Sequence, residues 1–122
     1  MPTASPAPPG LGPVHAAVLL RLHIGEDDRR GGRPLYELVL ELCRQAEVAQ
    51  ASVYRGIEGY GASSIIHRPH LFGRSQDAPI TVTIVATPEQ AVALEPQLAA
   101  LVAEGLVATS RAEMIRLEGA PA

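Results

Sequence analysis

The residues best equipped for chemistry lie in the run Tyr54-Arg55-Gly56-Ile57-Glu58-Gly59-Tyr60-Gly61. The guanidinium of Arg55 is a planar fork of donors that suits a phosphate or a carboxylate. The glycines that follow carry no Cβ, so a ligand or another backbone can come close to them. A second reading stands beside the first. Arg55 can pair with Glu26 or Glu58 and hold a loop or subunit contact, and the glycines can form a bulge or turn where a strand ends. Gly56, Gly59 and Gly61 do not make the dinucleotide fingerprint, because no helix opens directly after them.

The other reactive side chains are scattered. His67 and His70 stand three apart across Pro69, with His15 and His23 elsewhere. Two imidazoles can begin a transition-metal site, but no nearby cysteine or acid completes one, so a solvent-facing role or a polar ligand contact is expected and no metal. Ser63 and Ser64 lie near His67, yet a catalytic triad needs a third, orienting group and an oxyanion site. The acids show no general acid–base pairing. No catalytic residue and no cofactor are therefore expected. Cys43, the single cysteine, excludes an intrachain disulfide and reads as a buried, inert thiol. The run Glu26-Asp27-Asp28-Arg29-Arg30 reads as a solvated loop, with cation binding or pairing across a subunit boundary as alternatives. Tyr36 and Tyr60 can pack or stack on a base.

These residues must be positioned by a chain of 122 residues, which fits one domain. Residues 47% hydrophobic and 3% aromatic imply a core of Leu, Val, Ile and Ala. Lysine is absent and the net charge is −3, a poor footprint for nucleic-acid binding. No apolar run reaches the ~20 residues of a membrane span. Residues 1–15, rich in proline and glycine, read as a flexible leader, residues 16–118 as the folded domain and 119–122 as a loose end. The leader has neither a basic start nor a continuous apolar stretch, so a cytoplasmic location is expected.

Periodicity divides the body. Residues 18–24 alternate with period two and predict a strand, followed by a charged loop at 25–32. Arg33-Pro34 opens a helix whose stripe is Leu35, Leu38, Val39, Leu42 and Ala46. Residues 51–58 predict a second strand with Val53, Arg55 and Ile57 on one face. Residues 60–78 show little periodicity, and a connection of that length is often functional. Residues 80–86 predict a third strand. Thr87-Pro88-Glu89-Gln90 is a capping box that opens a second helix, expected to run to Glu104 through an awkward Pro96 and to end on a left-handed Gly105. Residues 106–117 predict a fourth strand. The order strand–helix–strand–strand–helix–strand folds into an α+β, ferredoxin-like βαββαβ unit, a four-stranded antiparallel sheet with two helices on one face. The other face, with Leu19, Val85 and the threonines of the third strand, is then bare, which predicts a homo-oligomer.

The stretch Ile24-Gly25-Glu26, with Pro34-Leu35-Tyr36-Glu37, the run from Tyr54 to Gly61, Ser64, Ile66-His67 and Asp77-Ala78-Pro79-Ile80, resembles domain of unknown function family 190, counted among the PII-like proteins. The resemblance spans residues 18–117. It implies a PII-like homotrimer, a signalling loop after the second strand and nucleotide clefts between subunits. It also implies a link to membrane transporters of the fluoride-exporter type. The chain departs from the commonest pattern at Asp27-Asp28 and at Arg68-Pro69-His70. The expected function is a non-enzymatic regulator that senses a small anionic effector such as a nucleotide and signals through the 60–78 loop. The expected ligand contacts are Arg55, Gly56, Gly59, Tyr60, Gly61, Ser64, His67 and Glu26. A small cofactor-independent α+β-barrel enzyme and a ligand-independent trimeric adaptor are the alternatives.

Overall fold

The computed structural model describes residues 12–60, 66–67 and 77–117, the pair 66–67 by backbone alone. The chain forms four strands, β1 (Val14–Gly25), β2 (Gln50–Arg55), β3 (Pro79–Ala86) and β4 (Leu106–Ile115), of which β1 and β3 alternate buried apolar residues and β4 is exposed over most of its length. Two helices separate them, α1 (Leu35–Gln45) after β1 and α2 (Pro88–Leu101) after β3. The strands form one antiparallel sheet in the order β2-β3-β1-β4. Each helix thus returns the chain past an intervening strand, the split βαβ connection of a ferredoxin-like α+β fold.

Register sorts the side chains by face. Leu20, Leu22 and Ile24 of β1 pair with Ile84, Val82 and Ile80 of β3, and all six are buried beneath the helices. Leu35, Val39 and Cys43 of α1 and Ala91, Leu94 and Leu98 of α2 close that core. The opposite face carries Leu19, Arg21 and His23 of β1, Thr81, Thr83 and Val85 of β3, and Tyr54 of β2. Among the described residues no helix covers it, and its Tyr54 and Leu106 are more than half exposed.

Helix ends explain where the element boundaries fall. The capping box of α2 is present: Thr87 Oγ1 accepts the Gln90 N–H, and the Gln90 side-chain oxygen accepts the Thr87 N–H. Gln90 also donates its amide to the carbonyls of Ala46 and Glu47, so one side chain closes the start of α2 and the end of α1. Helix α2 passes through Pro96 with the ring on its exposed side, where water can satisfy the freed carbonyl.

Several boundaries differ from the sequence expectation, and α1 itself begins at Leu35, with Pro34 as its N-cap and Arg33–Pro34 in a two-residue strand. Helix α2 stops at Leu101, not Glu104, and Val102 is extended where a left-handed Gly105 was expected. The reason is non-local: the Arg30 guanidinium, seventy residues away in sequence, donates to the carbonyls of Ala100 and Leu101 and takes over the capping. Gly105 serves close packing instead, since a Cβ there would lie 3.2 Å from the His23 carbonyl oxygen. Strand β2 stops at Arg55, so Ile57 does not continue the face of Val53 and is 76% exposed. The cause is Pro79, whose carbonyl takes the Gly56 N–H at 2.7 Å as the two strands part. Strand β4 ends at Ile115, and β1 begins at Val14, inside the segment read as a leader.

Candidate functional site

The ends of β1 and β2 and the start of β3 converge at one edge of the domain, and four hydrogen bonds tie them together. Arg55 donates from Nε to Glu26 Oε2 at 2.7 Å and from Nη2 to Oε1 at 3.2 Å, a bidentate pair across the strand ends. The Glu26 N–H donates to the Ala78 carbonyl at 2.8 Å, and the Gly56 N–H to that of Pro79. The fork geometry of Arg55 suits this partner as well as it would suit a free anion. The Arg55 hydrogen bond holds the Glu26 carboxyl below the usual carboxylate range; burial opposes it, and the Arg55 charge and the Ala78 backbone contact add to it. The same pair raises the Arg55 guanidinium.

Glycines permit this convergence. A Cβ on Gly56 would lie 2.6 Å from Cγ of Pro79, and one on Gly25 would lie 2.7 Å from Asp77 Oδ1. The Asp77 carboxylate in turn accepts the Asp27 N–H at 2.7 Å. Asp28 Oδ2 accepts the Gly25 N–H, and the Asp28 carbonyl accepts the Leu35 N–H that starts α1. The acidic pair Asp27-Asp28 is thus built into the loop. Beyond it, Arg29–Arg30 pairs with Arg33–Pro34 in a hairpin whose turn residues Gly31 and Gly32 both have positive φ, as a primed two-residue turn requires.

A cleft of about 520 Å³ opens beside this junction. Its walls are the end of β1, the arginine hairpin, Tyr60 with Asp77 and Pro79, and the turn from Leu101 to Leu106. His23 and Leu106 face each other across β1 and β4 on the uncovered side of the sheet and also line the cleft, so the cleft opens onto that bare face. The His23 ring nitrogen Nδ1 lies 3.1 Å from the Thr81 hydroxyl. A second cavity, of about 480 Å³, lies by Gln50, Val85 and Met114 and contains none of the expected ligand residues.

The expected site residues therefore divide. Arg55, Glu26 and Gly56 are brought together as a clamp and do not line the cleft. Tyr60 lines the cleft with its ring 81% exposed. Gly59 and Tyr60 pair through their backbones with His67 and Ile66 in a two-residue ladder. Gly61, Ser64 and His70 lie outside the described residues. Cys43 is buried in the core, where loss of hydration pushes its thiol up to about 11. The sequence reading did not assign His23, Arg29, Arg30 and Glu104 to the cleft. Arg29 and Arg30 were visible as a charge run, but Glu104 had no local signal, because only the tertiary fold carries the end of α2 to the hairpin.

The sheet order and the placement of both helices define a PII-like protein fold. Solved structures of CPII, a nitrogen regulatory PII-like protein from Thiomonas intermedia K12, superpose on it. The form bound to ADP, AMP and bicarbonate gives a TM-score of 0.61 at 18% identity, covering 84% of this chain and 92% of that one. The form bound to ADP and bicarbonate gives 0.56 at 19% identity, with the same coverage of both chains. Within that fold the chain belongs to the DUF190 family, described as Uncharacterized ACR, whose model matches residues 17–114. It is 33% identical over 72 residues to a UPF0166 protein of Aquifex aeolicus, covering 59% of this chain and 69% of that protein. A UPF0166 protein of Methanocaldococcus jannaschii is 26% identical over 82 residues, covering 67% and 75%.

Proposed function

We propose that this protein is a PII-like regulator, not an enzyme, that takes an adenine nucleotide or a similar small anion in the cleft beside the arginine hairpin. In this reading three copies assemble through the bare sheet face, and a neighbouring subunit closes each cleft. The observation that carries it is the position of the cleft. It opens onto the uncovered face at His23 and Leu106, and it borders the stems of the 60–78 segment at Tyr60, Asp77 and Pro79. A ligand held there touches what a sister chain would cover and what a signalling loop would spring from. The ADP and AMP bound by CPII support the choice of ligand class.

Arg55 and Glu26 act in this scheme as the clamp at the base of the loop, with Gly56 and Gly59 allowing the close approach. Gly61, Ser64 and His67 belong to the loop that meets the partner. A ligand that binds two states of that loop unequally shifts their populations and with them the affinity for the partner. The family resemblance makes a membrane transporter the partner class to test first, from a cytoplasmic location. Calorimetry of the full chain against AMP, ADP, ATP and bicarbonate tests the proposal. Saturable binding of a nucleotide is expected, and no heat with any of them overturns it.

A further inference from the structure

The hairpin places three arginines within five residues, and their partners separate them. Arg33 is held by Glu41 through two bonds of 3.1 and 2.7 Å, with Glu37 at 3.9 Å. Arg30 is held by the last carbonyls of α2. Arg29 makes only a 3.4 Å contact with the Gly32 carbonyl of its own turn. Among the described residues no acid pairs with it. The carboxylates lining the cleft separate in the same way. Asp28 and Asp77 accept backbone N–H groups of the loop that forms the wall. Glu104, in the turn after α2, lines the cleft and has no hydrogen-bond or ion-pair partner among the described residues. Arg30 ties the hairpin to the end of α2, so it draws together the two walls on which Arg29 and Glu104 stand.

We infer that Arg29 reads the phosphate of the effector and Glu104 its ribose hydroxyls; the inference rests on the nucleotide reading above and assigns its contacts. A guanidinium whose donors face solvent offers a phosphate a bidentate, charge-assisted contact without first losing a protein partner. A carboxylate with free lone pairs accepts from vicinal hydroxyls and repels phosphate, which fixes the ligand's orientation. The exposed ring of Tyr60 and the Leu106 side chain supply apolar surface for a base.

The test is calorimetry of the full chain and of Arg29→Gln and Glu104→Gln with three probes: ADP, adenosine and pyrophosphate. Both residues are exposed, and circular dichroism confirms that the variants fold. Arg29→Gln is expected to weaken ADP and pyrophosphate by ~10-fold or more and to leave adenosine unchanged. Glu104→Gln is expected to weaken ADP and adenosine and to leave pyrophosphate as tight or tighter. ADP binding that neither variant alters overturns the inference and leaves the nucleotide reading standing. Equal loss of adenosine and ADP in Arg29→Gln overturns the phosphate assignment. Pyrophosphate binding through Arg29 without ADP or adenosine binding overturns the nucleotide reading and the Glu104 assignment, while the Arg29 contact stands. A wild-type chain that binds none of the three overturns both.

Discussion

At the scale of single residues, the junction of β1, β2 and β3 depends on what is missing as much as on what is present. Gly56 has no room for a methyl group: the Pro79 ring is rigid, and its Cγ would lie 2.6 Å from the new Cβ. Gly56→Ala is expected to lower stability by about 1–3 kcal/mol in urea unfolding, as over-packing does. Gly59→Ala is the control, because its Cβ would meet the same ring at an ordinary 3.4 Å. Equal destabilisation by the two variants would show that the tight approach is not the cause. Glu26 behaves differently, because its contribution depends on charge. Its carboxyl is held below the usual range in the folded chain, so its stabilising effect is present above the unfolded-state pKa and is lost as the pH falls through the folded value. Glu26→Gln is therefore expected to melt a few degrees below the wild type at neutral pH, with the curves converging once the wild-type carboxyl is protonated. The pair is partly exposed, so the gap is small and salt narrows it. A gap that persists undiminished in acid would mean that Glu26 acts through packing.

At the scale of elements, α2 shows which features of a sequence speak for themselves. Its start was legible, because a capping box is a local exchange of bonds between residues three apart. Its end was not, because the group that caps it is Arg30, and nothing near Leu101 announces an arginine from another loop. The strands were legible from period two wherever one face is buried, as in β3, where buried and half-buried residues alternate without exception. Strand β2 ends three residues before the alternation does, because Ile57 keeps the period while the Gly56 N–H already turns to the Pro79 carbonyl. Pro96 offers a test of how much local strain α2 carries. It removes one helical hydrogen bond in the middle of the helix, and its ring lies on the exposed side. Pro96→Ala restores the donor without disturbing the core, and it is expected to raise stability by about 2–3 kcal/mol, read as a higher urea midpoint. An unchanged midpoint would mean that the surrounding helix has already relaxed around the ring.

At the scale of the whole molecule, one side of the sheet is closed by helices and the other by nothing in the chain's described residues. Alternation told which residues would face outward, and the structure puts Leu19, Val85 and Tyr54 there, with His15, Arg21 and His23 of β1 as basic neighbours. The site was less legible than the fold. Arg55 and Glu26 were recognised as a possible pair, but a cleft made of four chain segments has no sequence period, so Glu104 could be found only in three dimensions. The bare face also bears on the function, since the cleft opens onto it through His23 and Leu106. If sister chains close that face, burying Leu19 and Tyr54 supplies the apolar contact that an isolated sheet lacks. Leu19 sits opposite Val85 on one side and Ser110 on the other, near the middle of the face and away from the core cluster. Leu19→Arg places a charge in the proposed contact without emptying the core, so the fold is expected to survive, as circular dichroism would show. The wild type is expected to sediment at three times the 12.8 kDa chain mass and the variant as single chains with weakened nucleotide binding. Single chains in both samples at micromolar concentration would remove the assembly. A trimer indifferent to Leu19→Arg would put the contact on another surface and leave the cleft without its closing wall.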